Sequence, residues 1–535
     1  MLRQLLNGQS KTITSAAIIL GAASLVSRLL GILRDRVLAG EFGAGFELDA
    51  YYAAFRIPDL VFNLLVLGAL SAGFIPVFTN YLSNKKKAWE MVNVVLNVML
   101  VALILLTVLL IVLAPWILKI IVPGFSQPQL EITTALTRVM FLSPILLGIS
   151  GIFGSILQSF KQFFIYSLAP ILYNIGIIIG ALFFVPHLGL MGLAWGVVFG
   201  ALLHMVIQLL AVFPLGYRYA FKLNLNHKGL KTILKMMLPR TLGLVVSQIN
   251  FLIITIIGST LAVGSIAIFN FANNIQSFPL GIFGVSFAIA AFPTFSELVN
   301  KKKQFIKTFS LAVRQILFLI IPASALLIIL RAQVVRAVLG TGRFDWEDTI
   351  LTLEALSIFA VSLFAQALIL VTARAFYAQE DTTTPFYVGL ISAFANVILA
   401  VMLVEPFGVI GLVMAFSMSM ILNFVLLIMM LHYRLGNLDG DKIFLSSLKI
   451  ITATFMLALV AQAAKYPLEQ LFGTTTLLGI TAQATAAISA GSFVYLGVCY
   501  LLKSEELTIF LESFKKKFGK HPAIAEEILE QEKLT

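Results

Sequence analysis

The feature that most constrains this chain is a series of fourteen apolar segments, most of them long enough to cross a lipid bilayer. A spanning helix needs about 20 mostly apolar residues. The 535 residues are 60% hydrophobic and 12% charged, and soluble proteins carry about twice that share of charge. The sequence therefore predicts an all-α polytopic membrane protein with 14 transmembrane helices. The predicted spans are 13–33, 49–80, 89–113, 134–160, 163–185, 190–213, 233–258, 265–296, 306–330, 350–378, 384–404, 409–433, 445–465 and 474–502.

Lysine and arginine collect in alternate loops between these spans. The clusters include Lys85–Lys87, the residues 218–231, Lys301–Lys303 and Lys515–Lys517. If the spans alternate in direction, all of these clusters lie on one side, and basic loops mark the cytoplasmic side of a membrane. Both termini are therefore predicted to be cytoplasmic. The same loops account for the net charge of +12, so we expect no nucleic-acid partner.

An internal repeat relates the first six spans to the next six. PRTLGLVVSQIN from Pro239 resembles SRLLGILRDRVL from Ser27, and AFPTFS at 291–296 resembles FIPVFT at 74–79. Six spans are an even number, so the two copies have the same orientation about an axis along the membrane normal. The predicted domains are an N-terminal lobe at 1–216, a C-terminal lobe at 217–435, two further helices at 436–502 and a tail at 503–535. The tail is predicted to be a basic amphipathic helix on the cytoplasmic lipid surface.

Ionisable residues are concentrated in the first two spans, as Arg28, Arg34, Asp35, Asp49 and Arg56. A charge at bilayer depth costs a few kcal/mol or more, so such residues face a polar cavity or each other. Guanidinium presents a planar fork of donors to phosphate oxygens. We therefore predict that Arg28 and Arg56 lie at equal depth, roughly 10 Å below the outer face, and clamp a phosphate. The alternative is an Arg–Asp network that only holds the two helices together, with Asp49 pairing Arg34 or Asp35 at the hairpin mouth.

The corresponding spans of the second copy carry amides instead of charges. Gln248, Asn250, Asn273 and Asn274 are candidates for substrate binding, although buried amides often serve only as hydrogen-bonding links between helices. The sequence contains no HExxH motif, cysteine cluster or phosphate-binding glycine loop. We therefore expect neither an enzyme nor a metal or cofactor site, with coupling to an ion or to the membrane potential left open.

Several long motifs resemble a known family. They are SRLLGILRD (27–35), FGAGFELDAYYAAFRIPDL (42–60), FPLGIFGVSFAIAAFPTFS (278–296) and RAFYAQEDTTTPF (374–386). On these residues the chain resembles the MurJ (MviN) family, lipid II flippases of the MOP exporter superfamily. The resemblance implies two lobes around a cationic cavity and a lipid-tail groove beside the last two spans. It also implies a cargo, undecaprenyl-pyrophosphate-linked peptidoglycan precursor (lipid II), moved from the inner to the outer leaflet of the bacterial cytoplasmic membrane by alternating access.

The chain departs from that family at several charged positions. Where the family commonly has two arginines and a glutamate in the second span, this chain has Phe62, Asn63 and Leu67, and Asn274 replaces an arginine of the eighth span. Arg56 lies within one or two turns of the second-span positions. The carboxylate that a sodium site of the family needs in the seventh span is missing. These losses keep two alternatives open: a flippase for another polyprenyl-pyrophosphate oligosaccharide, or a non-transporting scaffold that recruits peptidoglycan synthesis enzymes.

Overall fold

A computed structural model describes residues 13–67, 73–472 and 476–518, and within those ranges the chain is helical and contains no strand. Short links join the helices. In the described part of the chain, π-helical turns interrupt the longer helices at Phe62–Leu67, Gly180–Phe184 and Leu280–Val285. The helices are α1 (Ile13–Phe42), α2 (Phe46–Val61), α3 (Ile75–Tyr81), α4 (Lys85–Ile121), α5 (Gln127–Met140), α6 (Leu142–Ser159), α7 (Phe163–Ile179), α8 (Val185–Leu188), α9 (Met191–Val212), α10 (Lys228–Ser259), α11 (Ser265–Pro279), α12 (Ser286–Glu297), α13 (Lys302–Ile329), α14 (Arg331–Val338), α15 (Trp346–Ala378), α16 (Thr383–Leu435), α17 (Gly440–Phe472), α18 (Leu477–Leu501) and α19 (Glu505–Phe518).

The predicted all-helical membrane fold is confirmed. Ten helical stretches among the described residues are long and apolar enough to cross a membrane. One of them, α16, contains two of the predicted spans. It changes direction at Gly408, whose backbone has φ 54° and ψ −132°, a conformation that glycine adopts readily because it has no Cβ. The total of fourteen spans stays a prediction.

The helices group into two compact units. The first unit comprises residues 1–275, 338–355 and 385–419, and the second comprises 276–337, 356–384 and 420–535. These units are defined by contacts between residues and do not test the lobes expected from the repeat. The two lobes and the tail boundary at 503 therefore stay predictions. The last part of the tail, 519–535, lies outside the described residues.

In the first unit, α7 and α9 approach each other through glycines. A Cβ at Gly176 would collide with the backbone of Gly200, and one at Gly180, the first residue of the π turn after α7, would collide with Gly196. Small residues let helix backbones come close within a bilayer, where there is no hydrophobic driving force between helices. This contact fixes α7, which carries the buried Asn174.

In the second unit, a buried ion pair joins α19 to α13. Arg314 donates from Nη1 to Glu506 Oε1 at 2.6 Å and to Glu505 Oε2 at 2.7 Å. The side chains of Arg314 and Glu506 are 8% and 2% exposed, whereas that of Glu505 is 65% exposed. Hydroxyl groups of Ser446 and Ser504 also donate to Glu506. One face of α19 is therefore packed on protein, and its predicted position on the lipid surface stays a prediction.

Candidate functional site

Helix α1 is longer than the sequence suggested, which changes the relative level of the arginines. The first span was predicted to end at residue 33, but α1 continues to Phe42 through RDRVLAGEF. At roughly 1.5 Å per residue, Arg28 lies about 21 Å from that end, and Arg56 lies about 15 Å from the start of α2. Arg34, about 12 Å from the end of α1, matches Arg56 more closely. The predicted end of the first span at residue 33 is therefore wrong, and the equal depth of Arg28 and Arg56 stays a prediction.

Arg34 and Asp35 form an ion pair that α1 shares with two other helices. Arg34 donates from Nε and Nη2 to Asp35 Oδ1 at 3.0 and 2.8 Å, and from Nη1 to Asn174 Oδ1 on α7 at 3.3 Å. Asn274 on α11 donates to the other oxygen, Asp35 Oδ2, at 2.8 Å. Asp35 is buried. This network balances the Arg34 charge, and it explains how the charged stretch RDRVLAGEF continues helix α1.

Arg56 is held differently, by neutral groups. Its Nε donates to Thr255 Oγ1 on α10 at 2.7 Å, and its Nη2 donates to Asn270 Oδ1 on α11 at 3.0 Å. The guanidinium also lies 5.6 Å from the centre of the Phe251 ring, within the range of a cation–π contact. Asn270 lies one helical turn before Asn274 on α11. Arg56 therefore presents its charge beside the turn of α11 that carries the family's missing arginine.

Asp49 stabilises the start of α11. Its two carboxylate oxygens accept the backbone N–H groups of Gly264 at 2.6 Å and Ala267 at 2.8 Å. A carboxylate at a helix N-terminus satisfies orphan donors and complements the helix dipole. The expected pairing of Asp49 with Arg34 or Asp35 at the hairpin mouth is not what the structure shows, because Asp35 bonds Arg34 and Asn274 instead.

The remaining predicted residues lie on three helices of the first unit. Arg28 is half-buried on α1, Gln248 is half-buried on α10, and Asn273 is half-buried on α11. Asn250 on α10 is buried and accepts from Asn396 Nδ2 on α16 at 2.6 Å. Asn250 therefore links two helices by a hydrogen bond, which is the alternative to substrate binding for a buried amide.

The structure thus brings Arg34, Asp35 and Asn274 together, and it brings Arg56 to α11. Sequence reasoning missed the partners that hold the arginines, Asn174 and Thr255. Asn174 had a signal, since it is a lone amide inside the apolar span 163–185. Thr255 had none, because a threonine in a span commonly bonds its own helix, as Thr255 also does to the Phe251 carbonyl.

Comparison of the sequence with known proteins identifies the family of this chain. The family model described as "Lipid II flippase MurJ" matches residues 38–482. A probable lipid II flippase MurJ of Buchnera aphidicola subsp. Schizaphis graminum is 30% identical over 458 residues, covering 83% of this chain and 89% of that protein. The corresponding protein of Vibrio cholerae is 30% identical over 438 residues, covering 79% and 83%.

Solved structures agree on the fold. A lipid II flippase MurJ in an inward closed conformation matches with a TM-score of 0.74 at 24% identity, covering 91% of this chain and 98% of that one. An inward-facing multidrug resistance transporter of the MATE family in the MOP superfamily matches with a TM-score of 0.66 at 16% identity, covering 77% and 96%. Because the family model spans most of the sequence, the chain belongs to the MurJ family of multi-pass membrane proteins.

Proposed function

We propose that this protein is a lipid II flippase, which moves the lipid-linked peptidoglycan precursor from the inner to the outer leaflet of the bacterial cytoplasmic membrane by alternating access. Its relatives carry that name. The observation that supports an anionic cargo most directly is the setting of Arg56. Its hydrogen-bond partners among the described residues, Thr255 and Asn270, are both neutral. Asp59, three residues away, interacts with Arg56 electrostatically but forms no ion pair with it within 4 Å, so the guanidinium can still attract a phosphate.

Arg34 takes a different role in this proposal. A guanidinium has five N–H donors, and the contacts to Asp35 and Asn174 engage three of them. Asp35 already neutralises its charge. We assign the main phosphate contact to Arg56, and we assign Arg34, Asp35, Asp49, Asn250 and Asn274 to fixing the helices around it. Arg28, Gln248 and Asn273 remain candidates for contact with the headgroup.

The proposal also includes an orientation and an energy source. The lysine clusters support a cytoplasmic position for both termini. Neither catalysis nor a resident cofactor forms part of it, and transport is driven by an ion gradient or by the membrane potential. Peptidoglycan synthesis enzymes are proposed partners at the outer face.

The test is lipid II binding and transport by purified protein in proteoliposomes. A hydrogen bond to a charged group contributes about 1.5–3 kcal/mol, so Arg56→Ala is expected to weaken binding roughly ten- to a hundredfold. Arg56→Lys should recover binding only in part, because it keeps the charge and loses the planar fork. Arg434→Ala is the matched control, since Arg434 forms a partly exposed pair with Asp381.

Different outcomes separate the alternatives. Normal binding and transport by folded Arg56→Ala protein would exclude Arg56 as the phosphate contact. Preferential transport of a polyprenyl-pyrophosphate carrying another oligosaccharide would replace lipid II as cargo. Complementation of a depleted strain by a variant that transports neither lipid would favour the scaffold.

A further inference from the structure

The segment between α9 and α10 is an extended strap, residues 217–225, docked on α4. Asn93 Nδ2 donates to the Arg218 carbonyl at 3.0 Å, and Asn97 Nδ2 donates to the Ala220 carbonyl at 2.9 Å. In return, the hydroxyls of Tyr217 and Tyr219 donate to the amide oxygens of the same asparagines at 2.9 and 3.0 Å. Asn93 and Asn97 are four residues apart, so they share one face of α4. The strap is therefore held in one register.

The backbone contacts with α4 continue to the Lys222 carbonyl, which accepts from Asn97 Nδ2 at 3.3 Å. In an extended chain successive side chains point to opposite sides, so Phe221 and Leu223 lie opposite Lys222 and Asn224. All side chains from 221 to 226 are exposed, and Phe221, Leu223 and Leu225 are 69%, 51% and 71% exposed. Three large apolar side chains are therefore displayed by a segment whose backbone is already anchored to the protein.

Exposed apolar side chains precede the strap, and exposed basic side chains surround it. It follows the end of α9, where Leu210 and Phe213 are exposed, and it contacts α4 at Asn93 and Asn97, within the first turns of the predicted span 89–113. Residues 217–235 contain no Asp or Glu. Lys222 is paired with Glu90 of α4 at 2.9 Å. The other exposed cations of this region are Arg218, Lys228, Lys231, Lys235 and the three lysines that begin α4.

We propose that the strap is a membrane-surface anchor that binds anionic phospholipid. Phe221, Leu223 and Leu225 enter the boundary between headgroups and acyl chains, and the neighbouring cations bind the anionic headgroups. Apolar side chains alternating with polar ones suit this boundary, and each cation near an anionic surface adds to the attraction. The lipid is recognised by charge and depth, so this role is independent of the transported cargo.

Cysteine labelling tests whether successive side chains of the strap face lipid and water in turn. The chain has a single cysteine, the buried Cys499, which Cys499→Ala removes. In that background, an environment-sensitive fluorophore is attached at residue 221, 222, 223 or 224 of the full-length protein in nanodiscs. Acyl-chain nitroxide lipids should quench labels at 221 and 223 more than those at 222 and 224, and aqueous iodide should show the reverse order. A label at Leu105, exposed in the middle of α4, is the control for full lipid contact.

The charge requirement is tested with lipid composition. Quenching at 221 should be stronger in discs that contain phosphatidylglycerol than in discs of phosphatidylcholine alone. Lys228→Gln/Lys231→Gln should remove that difference, whereas Lys302→Gln/Lys303→Gln, distant in sequence, should retain it. Equal quenching at all four positions would overturn the proposal. Labels that are shielded from iodide but not quenched by the nitroxide lipids would also overturn the proposal. The same holds for labels that are shielded only in native membranes, because both results indicate a protein partner.

Discussion

The buried pair between Arg314 and Glu506 makes an asymmetric prediction about stability. Replacing Arg314 by Met leaves the Glu506 carboxylate, 2% exposed, without a cationic partner. Removing one member of a buried ion pair costs about 3–5 kcal/mol. Because the Ser446 and Ser504 hydroxyls still donate to Glu506, we expect Arg314→Met to lower the free energy of unfolding by about 3 kcal/mol, at the low end of that range.

The reverse substitution should cost less. In Glu506→Gln, Arg314 keeps Glu505 at 2.7 Å, and that carboxylate is 65% exposed. The double variant Arg314→Met/Glu506→Gln removes both charges, and replacing a buried pair by neutral groups is often close to neutral. We therefore expect the double variant to be more stable than Arg314→Met alone. Glu505→Gln is the matched control, with an expected cost of about 0–1 kcal/mol, as for surface pairs.

The free energies are measured by SDS titration of the purified protein in mixed micelles. Burial by itself would raise the pKa of Glu506, but hydrogen bonds from Ser504 and Ser446 and the Arg314 charge hold that pKa below its ordinary value of 4.5. A carboxylate with a lowered folded pKa contributes stability above its unfolded pKa, and that contribution is lost as the pH falls through the folded value. The stability gap between the natural protein and Glu506→Gln should therefore narrow below about pH 4.5. An Arg314→Met cost under about 1 kcal/mol, or a double variant no more stable than the single one, would refute the buried-pair reasoning.

Three further predictions concern the first unit. Asp49→Ala should lower the free energy of unfolding by about 1–2 kcal/mol, as loss of a helix cap does, with Asp49→Asn costing less; equal loss in both would contradict the capping role. Asn274→Arg should be tolerated in a melting experiment, because Asp35 already accepts from residue 274, and it should tighten lipid II binding; a sharp fall in melting temperature without tighter binding would refute a hydrated site. Cysteine placed beside Lys85–Lys87 should resist impermeant reagents added to intact cells, and labelling from outside would reverse the proposed orientation.

Much of the fold could be predicted from sequence, because long apolar segments and basic loops follow directly from the solvent properties of a bilayer. The ends of the helices are harder to predict from the sequence. A charged stretch such as RDRVLAGEF reads as a loop after an apolar run. In the structure it continues α1, since Arg34 and Asp35 neutralise each other and bond to α7 and α11. Composition alone cannot show that a distant helix supplies the partners.

The candidate site was predictable in residue type but not in geometry. Arg56 and Asn274 stand out as polar residues in apolar spans. The helix that each one contacts lies more than 190 residues away in sequence, as Thr255 lies 199 residues from Arg56, so the contact depends on how distant helices pack. Asp49 shows the same limit. Its carboxylate suggested an ion pair, and only the position of the α11 N-terminus, 215 residues later, shows that it caps a helix.

The π-helical turns at Phe62–Leu67 and Leu280–Val285 bear on the internal repeat of the chain. Aligning the matched motifs at 74–79 and 291–296 places the two turns within one residue of each other in the two copies of the repeat. A π turn widens one turn of an otherwise regular helix, so each copy departs from the α-helix at the same point. The repeat is therefore present in the irregularities of the backbone as well as in the sequence. The two copies differ in charge, since Arg34 and Asp35 of the first stand opposite Val246 and Ser247 of the second when the motifs from Ser27 and Pro239 are aligned.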